Sequence, residues 1–128
     1  MSEQNVFDSE SAPKPVGAYP HARRVGNLLF LSGIGPRQRG TDSIPEGIEA
    51  QCRAVFDNIR SVLEDSGSKW ENLVDVTVFL TDIERDFETY NRVYAEYFAD
   101  ANPCRTTVEV NRLPTPISIE LKCIATLS

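Results

Sequence analysis

The chain has 128 residues, of which 41% are apolar and 25% charged, with eight prolines and seven glycines spread along it. This is the composition of one globular domain with a real core, and it excludes collagen, coiled coil and disordered chain. A net charge of −6 and a pI near 4.8 oppose nucleic-acid binding, which depends on Lys and Arg neutralising phosphates. No run approaches the roughly 20 apolar residues that span a bilayer.

Residues 1–15 are rich in Ser, Glu and Pro without periodicity, which predicts a flexible tail ahead of a single domain over 16–128. The tail is acidic and has no apolar stretch of secretory type. Leu28–Ser32 reads as a strand, ended by Gly33, Gly35 and Pro36, and 34–46 as a loop. Ile48, Cys52, Val55, Ile59 and Val62 recur at steps of four and three, the signature of an amphipathic helix, with Gly67 as its stop.

Leu73–Leu80 alternates as a strand, with Val74, Val76, Val78 and Leu80 on one side and Asp75 and Thr77 on the other. Asp86 to about Phe98 fits a second helix, with Phe87, Tyr90, Tyr94 and Tyr97/Phe98 on one side and Asp86 as its cap. Arg105–Val110 and Ile117–Thr126 complete the chain as two strands. Strands, helix, strand, helix and two strands predict a two-layer α/β (α+β) sandwich with both helices on one sheet face. The opposite face carries enough Val, Ile and Leu to need a cover, which predicts an oligomer.

Alternation in the last two strands groups Arg105, Thr107 and Glu109 on one side and Ser118, Glu120 and Lys122 on another. The short connection predicts that these strands are antiparallel neighbours, so that Arg105 and Glu120 share a face. An Arg fork suits a carboxylate ligand, and a Glu beside it can hold a water. The same pattern more commonly describes an exposed cross-strand ion pair.

Tyr19 and His21 precede the first strand and suit packing as well as chemistry. Ser32 lacks the flanking glycine of a nucleophile elbow, and Gly33-Ile34-Gly35 lacks phosphate-loop spacing. Cys52, Cys104 and Cys123 form no C-x-x-C, and with one His there is no zinc set. A reducing cytoplasm is the expected home.

The segments Gly17-Ala18-Tyr19, Leu31-Ser32-Gly33, Pro103 to Val110, Arg112-Leu113-Pro114 and Ile117 to Glu120 resemble the signature of the YjgF/RidA family. The resemblance implies a chorismate-mutase-like fold and a homotrimer with sites between subunits. It also implies hydrolysis of enamine or imine compounds to a keto acid and ammonium, without metal or organic cofactor. By the same match, Arg105 forks the substrate carboxylate and Glu120 orients the attacking water. Tyr19, Ser32, Gly33, Phe87, Asn91 and Thr107 match pocket positions.

Tyr19-Pro20-His21, Ser32 to Arg37 and Arg105 to Val108 further resemble a 2-aminomuconate deaminase branch. Arg37, with Arg39 as fallback, is the expected holder of that substrate's second carboxylate. A general 2-imino or enamino acid deaminase and a non-catalytic, chaperone-like trimer are the alternatives. No nucleic acid or membrane partner is expected.

Overall fold

The computed structural model describes residues 4–128. Six strands form one mixed sheet: β1 Val6–Phe7, β2 Ala22–Val25, β3 Leu28–Leu31, β4 Leu73–Leu80, β5 Cys104–Glu109 and β6 Ile119–Thr126. Their spatial order is β1-β2-β3-β6-β4-β5, antiparallel throughout except for β4 and β5, which run parallel. Helices α1 (Ile48–Asp65) and α2 (Ile83–Phe98) pack on one face, the expected two-layer arrangement. Among the described residues no helix is long and apolar enough to cross a membrane.

Apolar periodicity accounts for the helical layer. Val55, Phe56, Ile59 and Val62 of α1, and Tyr90, Val93 and Phe98 of α2, are buried against Leu29, Leu31, Val76, Val78, Leu121 and Cys123 of the sheet. Burying each large apolar side chain stabilises the fold by about 1.5–3 kcal/mol before entropy is counted. Helix α1 stops as expected: Gly67 takes a φ of 84° and the Ser68 N–H reaches back to the Leu63 carbonyl at 2.8 Å.

Three expectations need correction. Residues 4–15 do not form a loose tail. Val6 and Phe7 pair with Arg23 and Ala22, Ser9 and Ala12 are buried, and side chains from distant positions hold the segment down. Composition does not register those long-range donors. Helix α2 begins earlier than predicted: Asp82, not Asp86, is its cap, accepting the Arg85 N–H at 3.1 Å. Asp86 is instead buried within the first turn and held by the Arg85 guanidinium through two 2.8 Å hydrogen bonds.

The third correction matters most for the site. β5 and β6 are not neighbours, because β4 lies between them. Helix α2 carries the chain from β4 across to a parallel β5, and β6 then pairs with β4 on the other side. β2 was not anticipated either. It joins β3 through a two-residue turn at Gly26-Asn27, where Gly26 adopts a φ of 61°.

Candidate functional site

Register divides the candidate residues between two faces. On β4, Val76 pairs with Arg105 and Phe79 with Glu120. Directly paired residues share a face, and positions three apart on a regular strand point oppositely. Arg105 therefore lies on the helical side of the sheet and Glu120 on the open side. Within one chain they cannot meet.

Glu120 sits in a cleft of about 40 Å³, bordered by Tyr19, His21, Ser32, Gly33, Arg37 and the segment 13–16. That is room for water molecules beside the carboxyl. Strand β3 runs out at Leu31, and Ile34 then bridges to Leu121 through paired hydrogen bonds of 2.9 and 3.0 Å. This bridge presses Gly33 against the Glu120 carboxyl. A Cβ at Gly33 would stand 3.0 Å from both the carboxyl carbon and Oε1 of Glu120. Burial pushes the Glu120 carboxyl above its ordinary value.

The other cleft residues are held in place. Ser32 Oγ donates to the Pro20 carbonyl at 2.7 Å, and the half-exposed Tyr19 accepts the Val16 N–H through its hydroxyl at 3.2 Å. The buried His21 accepts the Ser9 N–H at Nδ1 (2.8 Å), so Nε2 carries the proton and donates to the Pro13 carbonyl at 2.6 Å. His21 is thus a clamp, which answers its ambiguity in the sequence. Arg37 reaches Asp42 at 3.0 Å and the Lys14 carbonyl at 2.8 Å. Arg39 spends one nitrogen on the Ser9 and Ala12 carbonyls, at 2.8 and 2.9 Å.

The second cluster lies at the sheet edge, between β5 and α2. Arg105 donates to Asn91 Oδ1 at 2.9 Å, and its guanidinium carbon stands 4.7 Å from the Tyr94 ring centre and 5.3 Å from that of Tyr90. Thr107 Oγ1 lies 2.8 Å from the Tyr90 hydroxyl, and the exposed Phe87 ring adjoins Tyr90 at 5.9 Å. Glu109, third on this face, accepts the Ile83 N–H at 2.8 Å at the start of α2. Arg105, Asn91, Thr107 and Phe87 therefore stand together, apart from Tyr19, Ser32, Gly33, Arg37 and Glu120.

Sequence reasoning missed the role of Tyr90 and Tyr94 beside Arg105. They were legible only as an apolar helix stripe. It also missed the cleft wall over 13–16, because that segment lacks periodicity.

The profile of the family described as endoribonuclease L-PSP matches residues 9–127. The chain belongs to the YjgF/RutC/RidA family. A RutC family protein of Pyrococcus abyssi is 42% identical over 126 residues, 98% of each chain. A 2-iminobutanoate/2-iminopropanoate deaminase of Escherichia coli is 37% identical over 120 residues, 91% of this chain and 93% of that one. The crystal structure of Escherichia coli TdcF with bound serine superposes with a TM-score of 0.91 at 30% identity, covering 98% of this chain and all of that one. In this member of the YjgF/RutC/RidA family the signature residues fall into two clusters on opposite sheet faces.

Proposed function

We propose that the chain hydrolyses 2-imino acids and their enamine tautomers to 2-oxo acids and ammonia, in sites completed between copies of itself. The observation that carries this reading is the separation of Arg105 from Glu120 by the thickness of the sheet. A carboxylate clamp at an edge and a water-holding acid on an open face come together only when the edge of one chain meets the face of another. Val25 and Leu28 towards one side of that face and Val108 at its other edge are exposed, so apolar side chains are spread across the open face and suit a cover. Three copies related by a closed rotation would cover three faces and form three sites.

In this reading the Arg105 fork holds the substrate carboxylate beside the imine carbon and withdraws electron density from it. A water held by Glu120 adds to C2, its proton passing to the carboxylate. The carbinolamine takes that proton on nitrogen, the C–N bond breaks and ammonia leaves, while the C2 hydroxyl gives its proton back to the Glu120 carboxylate and becomes the keto oxygen; the departing ammonia carries that last proton away as ammonium. The similarity to a named 2-imino acid deaminase supports the reaction class. A net charge of −6 favours this over the ribonuclease activity in the family's description.

The finer substrate we assign is 2-aminomuconate, whose second carboxylate would meet Arg37 at the cleft rim. General 2-imino acids are the alternative. Three free cysteines suit a reducing compartment such as the cytoplasm.

Mixing two inactive variants tests the reading. Arg105→Ala and Glu120→Gln should each release ammonia from 2-iminobutanoate at the rate of buffer, and co-expressed together they should regain part of the activity. Inactive mixed assemblies, or a 14.3 kDa monomer in sedimentation, would overturn the shared site.

A further inference from the structure

Arg105 has an unusual setting for an edge-strand arginine. It lies against two tyrosine rings of α2, and Asn91 takes one of its N–H groups. Aromatic faces fix the plane of a guanidinium, and Asn91 fixes its rotation within that plane. Tyr90 does a second thing. It is fully buried, and its hydroxyl meets Thr107 Oγ1 at 2.8 Å, two residues along β5 on the same face as Arg105.

Burial pushes the Tyr90 phenol above its ordinary value, so it stays protonated and available as a donor. When Tyr90 donates to Thr107 Oγ1, the threonine hydroxyl hydrogen is left to point elsewhere. The only other polar groups along this face of β5 are Arg105 and Glu109, and Glu109 is occupied by the Ile83 N–H. The free Thr107 hydrogen and the free edge of Arg105 thus form two donors on one edge.

We propose that Tyr90 is a positioning residue: its ring sets the plane of Arg105 and its hydroxyl orients Thr107, so that guanidinium and threonine hydroxyl bind one substrate carboxylate as a single unit. This deepens the deaminase reading and rests on Arg105 being its carboxylate clamp. Tyr90 touches no substrate, and it acts through the two side chains that do. Its loss weakens carboxylate binding and leaves the chemical step, which belongs to the Glu120 cleft, largely alone.

The test is a double-mutant cycle. Tyr90→Phe keeps the ring and removes the hydroxyl, and Thr107→Val removes the second donor at nearly constant volume. Each should raise KM for 2-iminobutanoate about fivefold, the scale of one neutral hydrogen bond, with kcat within about twofold. The double variant should raise it no further than the larger single effect. Thr107→Ser, which keeps the hydroxyl, should retain the KM of the unaltered protein.

Calorimetric binding of 2-oxobutanoate needs no turnover and should show the same pattern in Kd. Unchanged KM and Kd in Tyr90→Phe, or additive effects in the pair, overturn the proposal. So does a failure of the unaltered protein to bind 2-oxobutanoate at all. An unaltered protein that binds 2-oxobutanoate but releases no ammonia overturns the deaminase reading and leaves this one to be decided by Kd alone.

Discussion

Gly33 and Glu120 are in such close apposition that no side chain fits between them: a methyl at Gly33 would lie 3.0 Å from the Glu120 carboxyl. The glycine serves here as a space. Its replacement moves the end of a flexible side chain and leaves the backbone in place. Gly33→Ala should therefore cost under about 1 kcal/mol of stability, while the displaced carboxylate lowers kcat by about 10–100-fold. Thermal melting beside steady-state ammonia release separates the two effects, and parallel losses would count against the packing argument.

Glu120 itself should be costly to the fold. Burial raises its pKa, so the folded chain binds this proton more tightly than the unfolded chain does. Stability contributed at this site falls as pH rises from the ordinary value of 4.5 through the higher folded value, and the penalty is complete above it. Glu120→Gln, which cannot ionise, should melt higher than the unaltered protein at pH 7 and lose that advantage below about pH 4.5. The same variant should be inactive. In the unaltered protein, activity should fall on the acid side with an apparent pKa above the ordinary carboxylate value.

Arg37 separates the two substrate readings. Its guanidinium already serves Asp42 and the Lys14 carbonyl, yet it borders the Glu120 cleft. Arg37→Ala should raise KM several-fold for a dicarboxylate imine such as 2-aminomuconate and spare a monocarboxylate imine. Equal effects on both substrates would assign Arg37 to holding the cleft wall alone.

Much of this arrangement could be read before the fold was known. The four-and-three spacing from Ile48 to Val62 and the alternation over Leu73–Leu80 located α1 and β4, because burial on one side imposes a period. Arg105 and Glu120 were identifiable as candidates, and each on its strand faces the way alternation requires. Their relation to each other was not readable. Pairing order depends on the α2 crossover that lets β4 slip between β5 and β6, and local pattern carries no record of it. Asp82 and Asp86 illustrate the same limit at short range. Both suit a cap, and only the turn geometry decides between them.

The segment before β2 is held by Arg39, His21 and Arg37, and these contacts should be separable from the rest of the fold. Arg39→Ala strips a donor from two carbonyls and should cost about 1–3 kcal/mol, with faster amide exchange at Ser9 and Ala12. Exchange at Val76 and Leu121, deep in the sheet, should not change. Uniform acceleration across the chain would mean that the segment and the sheet open as one unit.

Those same clamps have a consequence for how the protein can be altered. Arg37, Arg39 and His21 grip main-chain oxygens and one main-chain amide between Ser9 and Lys14, never a side chain of the segment. Peptide groups are common to every residue type, so the grip is indifferent to spelling. Ser9, whose hydroxyl donates to Asp65 at 2.6 Å, and the buried Ala12 and Pro13 are fixed by their own surroundings, but the exposed residues beside them can be exchanged while the path is kept. Lys14 and Val16, which border the cleft, are the positions where acidic, aromatic or bulky residues would retune what enters without disturbing β3 or β6. The stretch with the least regular structure is thereby the natural place to redesign selectivity.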